Sequence, residues 1–182
     1  MIDLLKTKHP LILTANISDR DLEPIDHLRK RYFPSDRNFL RAHLTMFHRL
    51  PGEYLDEVVR SVVDILKDAG PIEAKVSGLR HLGAGVAFNI DSPELHHIRA
   101  RMKSVFTPWL GSQDMQKWQP HITIQNKVTK TAADSLYGLL QENFVSSSIK
   151  IDGVDLWRYL GGPWQIETSA TFASPVARNG SG

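Results

Sequence analysis

The residues best suited to chemistry come in two short echoes, Arg41-Ala42-His43-Leu44-Thr45-Met46 and Gln119-Pro120-His121-Ile122-Thr123-Ile124. Each reads His–apolar–Thr–apolar, and the two histidines lie 78 residues apart in a chain of 182. In an extended strand the side chains alternate faces, so His and Thr two apart point the same way while the apolar residues beside them point into a core. Each echo is therefore a half-buried strand that offers one imidazole and one hydroxyl. With eight histidines and nine threonines in the chain, the pattern should arise by chance only about 0.07 times, and it occurs twice. Two imidazoles and two hydroxyls around one cleft supply an acid, a base and hydrogen-bond donors for charged oxygens, the set that phosphodiester chemistry needs.

The elements that must position these groups follow from the apolar pattern. Residues 10–17 read as a buried strand, and residues 19–33 as a helix broken by Pro34-Ser35-Asp36. The first motif strand spans residues 40–50 and closes at Pro51-Gly52; a helix over 53–69 follows, ended by Gly70-Pro71. Residues 72–77 and 85–90 form a strand pair around a glycine-containing turn. Ser92 caps a helix that starts at Pro93 and runs to about Trp109, and residues 111–118 read as a loop before the second motif strand. A helix over 131–144 and a closing hairpin, 149–159 and 164–172 around Gly161-Gly162-Pro163, complete the chain. A motif strand, a helix and a strand pair thus occur twice in order. This predicts an α+β fold: a duplicated, bilobal molecule with antiparallel sheets lining a central cleft and helices outside. Residues 1–173 read as a single bilobal domain and the small, polar stretch 174–182 as a disordered tail.

Composition narrows the function classes. The chain is 41% hydrophobic and 23% charged, ordinary for a soluble globular protein, and no apolar run approaches the roughly 20 residues that span a bilayer. No secretory signal is visible at the N-terminus. The absence of cysteine excludes disulfides, thiolate chemistry and cysteine-ligated zinc, and fits a reducing cytoplasm. A net charge of +2 is too small for bulk DNA binding but suits a small anionic ligand or an RNA end. No cofactor and no protein partner are inferred.

The two His–apolar–Thr–apolar strands, one in each half of a duplicated chain, resemble the 2H phosphoesterase superfamily, in particular its bacterial 2′-5′ RNA ligase-like branch, which includes RNA 2′,3′-cyclic phosphodiesterases. The stretches Gln119 to Val128 (QPHITIQNKV) and Leu156 to Trp164 (LWRYLGGPW) share in the resemblance, which covers the chain from about Pro10 to Phe172. It implies two lobes related by a pseudo-twofold axis and catalytic roles for His43, Thr45, His121 and Thr123. The expected activity is metal-independent opening of 2′,3′-cyclic phosphates to 2′-phosphates, with 2′-5′ ligation as the reverse. The expected partner is an RNA 2′,3′-cyclic phosphate end or a small cyclic nucleotide. The residues alone leave open which histidine is the base. The resemblance implies that the first acts as acid and the second activates the nucleophile. The alternative reading is a nucleotide- or RNA-end-binding module without significant turnover.

Strand alternation adds Phe47 on the His43 face, as a base-stacking side chain, and Gln125 on the His121 face, as a hydrogen-bonding one. Arg158 and Tyr159, just before the Gly-Gly-Pro turn, are candidate RNA contacts, while Trp157 and Trp164 read as core. Arg49 and Lys127 lie six residues, roughly 20 Å, beyond each histidine and read as solvated cations. His48 falls opposite His43 on a regular strand, which removes it as a third catalytic imidazole. His96-His97 do not converge on one helix face, so no metal site is expected.

Overall fold

The structure is a computed structural model that describes residues 7–173. The N-terminal stretch 1–6 and the tail 174–182 lie outside the described residues. Among the described residues, seven strands form one antiparallel sheet: β1 (Leu11–Ile17), β2 (Thr45–Leu50), β3 (Ile72–His81), β4 (Val86–Asp91), β5 (His121–Gln125), β6 (Ser147–Tyr159) and β7 (Trp164–Thr171). Five α-helices intervene: α1 (Asp19–Tyr32), α2 (Leu55–Leu66), α3 (Pro93–Phe106), α4 (Ser112–Met115) and α5 (Lys130–Glu142).

The strand–helix–hairpin order does occur twice, as β2-α2-β3-β4 and β5-α5-β6-β7. Pairing then exchanges the pieces. The hairpin that follows β2 in the chain pairs through β4 with β5, and the hairpin that follows β5 reaches β2 through β6 and β1. The long strand β6 joins both halves, pairing β3 through its first residues and β1 and β7 through its last. The two antiparallel halves are thus one continuous curled sheet, ordered β2-β1-β6-β3-β4-β5 with β7 on β6. An isolated antiparallel bridge between Leu44 and Ile122 brings its two outer strands, β2 and β5, together.

The apolar stripe of each element explains this packing. β1 is buried along nearly its whole length, which accounts for its near-continuous apolar run. Leu44, Met46, Ile122 and Ile124, the apolar halves of the two echoes, are completely buried; burying each such side chain stabilises by about 1.5–3 kcal/mol. Helix α1 packs on β5 and β6, α5 on β3 and β4, and α2 against α3 and β7. Ser92 Oγ accepts the Leu95 amide at 3.2 Å, the expected cap of α3, and Thr129 caps α5 in the same way.

Three boundaries differ from the sequence pattern. β3 continues to His81, because the turn is the tight Leu82–Gly85 reversal with Gly83 at φ +85°. Gly85 permits β5 to approach, since a Cβ there would lie 1.9 Å from the Gln125 carbonyl oxygen. β2 begins only at Thr45, because side chains of α1 hold the backbone before it: Asp26 accepts the Ala42 amide at 2.7 Å and Arg29 donates to the Leu40 carbonyl at 3.1 Å. Residues 111–118 contain the short helix α4, whose Asp114 is buried.

Candidate active site

The Leu44–Ile122 bridge sets the geometry of the site. Both bridged side chains point into the core, so the residues flanking them project from the opposite face. Antiparallel register places His43 across from Thr123 and Thr45 across from His121. The four motif residues are therefore the corners of a quadrilateral, with the imidazoles on one diagonal and the hydroxyls on the other. In an ideal ladder such diagonal positions are roughly 7–8 Å apart, enough to hold a phosphate between the rings. All four line one polar cavity of about 480 Å³.

The two imidazoles are held alike. His43 Nδ1 lies 2.7 Å from the Arg41 carbonyl oxygen and His121 Nδ1 lies 2.8 Å from that of Gln119. A carbonyl only accepts, so each Nδ1 carries the proton and each Nε2 is left free to exchange one. The Trp164 ring covers His43, with centroids 4.9 Å apart. Burial pushes His43 down to about 4, opposed by its bond to the Arg41 carbonyl and assisted by the nearby charges of Arg29, His121 and His48. Burial also lowers His121, with Arg80 and His48 contributing.

Beyond each threonine the alternation breaks. The register of β1 against β2 shifts between Thr45 and Phe47, and that of β4 against β5 shifts between Thr123 and Gln125. Each motif strand thus carries a bulge at the same place, which turns two consecutive side chains inward. Met46 and Phe47 are both completely buried, as are Ile124 and, at 5% exposure, Gln125. Phe47 packs edge-on against Phe106, not into the cavity. Gln125 is likewise absent from the cavity lining, and its Oε1 is buried without a hydrogen-bond partner among the described residues. The same shift turns His48 onto the cleft face, where it lines the cavity with His43 and His121.

The remaining lining comes from outside the two His–apolar–Thr–apolar runs: Arg80 at the end of β3, Arg99 of α3, and Gln113, Gln116, Lys117, Trp118 and Gln119 before β5. Two buried guanidiniums brace the motif strands from their helices. Arg29 of α1 donates to the Thr123 carbonyl at 2.8 Å, and Arg99 of α3 donates to the Met46 carbonyl at 2.8 Å and to the Asp114 carbonyl at 3.0 Å. Arg99 also lies over the rings of Phe47 and Trp118, 4.6 and 5.1 Å from their centroids. Trp118 Nε1 donates to the Thr45 carbonyl at 3.1 Å. These contacts fix both strands by their backbones and leave the motif side chains free.

Other residues singled out by the sequence lie elsewhere. Arg158 pairs with Glu167 and reaches the His9 carbonyl, and neither it nor Tyr159 lines the cavity. Arg49 contacts the Thr7 carbonyl, while Lys127 is exposed at a φ of 62°. Trp157 and Trp164 are only half-buried. They line a second cavity of about 600 Å³ that adjoins the first at His43 and also contains Phe39, Asp19, Asp152 and Asp155. Trp157 Nε1 donates to Thr14 Oγ1 at 2.9 Å, so the indole N–H is satisfied. His96 packs against Trp118.

Comparison with known proteins agrees with this architecture. Solved structures with the same fold include TT0787 of Thermus thermophilus, with a TM-score of 0.66 and 12% identity over 91% of this chain and 99% of that one. Escherichia coli LigT complexed with 3′-AMP has a TM-score of 0.60 and 14% identity over 91% and 99%. The same protein complexed with ATP has a TM-score of 0.56 and 14% identity over 91% and 98%. No curated protein matches by sequence. The model of the 2′-5′ RNA ligase superfamily matches residues 17–163, which include both motifs and every residue of the cavity lining. The chain belongs to the 2′-5′ RNA ligase superfamily, the 2H phosphoesterases.

Proposed function

We propose that the protein is a phosphodiesterase that opens 2′,3′-cyclic phosphates of RNA ends or nucleotides to 2′-phosphates, with acid, base and oxyanion donors all supplied by side chains. The observation that carries this reading is the diagonal placement of two imidazoles, each anchored through Nδ1–H and each left with a free Nε2. Water attacks phosphorus from one diagonal end as one imidazole takes its proton. The bond from phosphorus to the ribose 3′ oxygen breaks at the other end, and the second imidazole hands that oxygen a proton. Thr45 and Thr123 donate to the non-bridging oxygens, whose charge grows in the transition state. With a ribose 5′-hydroxyl in place of water, the same forward steps form a 2′-5′ linkage: the 5′ oxygen bonds to phosphorus, the bond to the 3′ oxygen breaks, and that oxygen leaves as a hydroxyl. The half-buried indoles of the adjoining cavity suit the stacking of a base. LigT, which shares the fold, has been crystallised with nucleotides.

Desolvation suggests an order for the two rings. His43, driven down to about 4, stays neutral across the working range and is suited to accept the proton. His121, lowered without so large a shift, is suited to deliver one. This reverses the order implied by the family resemblance. It also sets the pH dependence. Activity must rise with pH as the base loses its proton, through about 4 for His43, and fall as the acid loses its own, below the ordinary value of about 6.5. The kcat/KM profile is expected to be a bell whose maximum lies acid of about 6.5. The two limbs belong to the coupled pair, and exchanging the roles of the rings gives the same bell. A profile of kcat/KM against pH with an adenosine 2′,3′-cyclic phosphate substrate checks this. A rate rising steadily to high pH would remove the two-imidazole mechanism.

A further inference from the structure

The cavity contains more positive charge than a single cyclic phosphate requires. Besides the four motif residues it is lined by His48, Arg80, Arg99 and Lys117, and no Asp or Glu is among the lining residues. Arg99 is committed to the Met46 and Asp114 carbonyls. The side chains of Arg80 and Lys117 have no ion-pair or hydrogen-bond partner among the described residues. A cyclic phosphodiester carries one negative charge, and the diagonal imidazoles and hydroxyls already surround it.

His48 is held more firmly than an incidental surface histidine. The Asp114 carboxylate, with a side chain 2% exposed, accepts the His48 amide at 2.9 and 3.0 Å and the Arg49 amide at 3.0 Å. It also accepts from His48 Nδ1 at 3.0 Å. One buried carboxylate thus clamps the backbone just after the β2 bulge and fixes the imidazole that the bulge turns outward. With Nδ1–H committed to Asp114, Nε2 has no protein partner among the described residues, and the residue lines the cavity. A buried carboxylate that orients an imidazole in this way fixes the face and nitrogen the ring presents to a ligand.

We infer that His48, Arg80 and Lys117 form a second phosphate subsite beside the motif residues, so that the preferred substrate is a cyclic phosphate end carrying a further phosphate, as in a 5′-phosphorylated nucleotide or an RNA chain. This inference rests on the phosphodiesterase reading of the site and narrows its substrate. Charge-assisted hydrogen bonds to a second phosphate should raise specificity by roughly ten-fold or more. Single phosphate contacts of this kind position a nucleic acid without reading its sequence.

The test compares adenosine 2′,3′-cyclic phosphate with and without a 5′-phosphate, in wild type, His48→Gln and Lys117→Ala. Both substituted side chains reach solvent, so neither change opens the core. The 5′-phosphorylated substrate is expected to have a kcat/KM at least about ten-fold higher, mostly through KM, and each substitution to bring the ratio toward one. A wild-type ratio near one, or a high ratio that survives both substitutions, overturns the subsite while leaving the phosphodiesterase reading standing. If neither substrate is cleaved, that reading fails, and calorimetry with adenosine 2′-phosphate and adenosine 2′,5′-bisphosphate decides the subsite alone. Tighter binding of the bisphosphate that is lost in both variants would support it, and equal affinities would overturn it.

Discussion

His43→Ala and His121→Ala are each expected to slow cyclic-phosphate hydrolysis by roughly 10²–10⁴-fold, the range for loss of a positioned general acid or base. Folding should survive. Each imidazole makes one protein hydrogen bond, to a carbonyl two residues earlier in its own chain segment, and projects from the face opposite the core. The buried contacts that hold the motif strands come from Leu44, Met46, Ile122 and Ile124 and from the guanidiniums of Arg29 and Arg99, none of which either substitution touches. In the proposed mechanism the two rings act at opposite ends of one displacement, so the double mutant should be little worse than the worse single mutant. Steady-state kinetics together with thermal melts of the same samples measure both halves of the expectation. Near-wild-type turnover in either folded variant would end the two-histidine account.

Thr45→Val and Thr123→Val remove one hydroxyl each at nearly constant shape. Loss of a donor to a developing oxyanion costs about 2–4 kcal/mol of transition-state stabilisation, a fall of roughly 30- to 1000-fold in kcat. Neither hydroxyl has a hydrogen-bond partner among the described residues; the contacts at these positions, Trp118 Nε1 and Arg29 Nη1, go to the backbone carbonyls. The loss should therefore appear in kcat with little change in melting temperature. A variant that melts well below wild type would assign its threonine to holding the strand.

The centre of the candidate site was legible because it resides in residue types at a fixed spacing: two histidines and two threonines in alternating apolar strands, which the fold brings around one cavity. What alternation could not carry was the bulge. An extra residue just after the threonine of each motif strand reverses the faces that follow, sending Phe47 and Gln125 into the core and bringing His48 into the cleft. Arg80 was hidden because β3 continues four residues beyond its expected end at residue 77. Asp114 lay in a segment that reads as a polar loop, and its value depends on amides more than sixty residues away. Arg29 and Arg99 look like ordinary helix-surface charges until the carbonyls they satisfy are in place. The exchange of hairpins between the repeats was equally invisible, since each hairpin is local in sequence while its partner strand is not.

The most direct measurement is phosphorus NMR of an oligonucleotide ending in a 2′,3′-cyclic phosphate, incubated with the purified protein in excess EDTA. The cyclic resonance is expected to give way to that of a 2′-phosphomonoester, at a rate indifferent to the chelator, since the proposed mechanism draws acid, base and oxyanion donors from protein side chains alone. Binding without conversion would make the site a receptor for nucleotide ends. Conversion that stops in EDTA and returns with a divalent ion would point to metal-bound hydroxide as the nucleophile and contradict the assignment of His43 and His121 as base and acid.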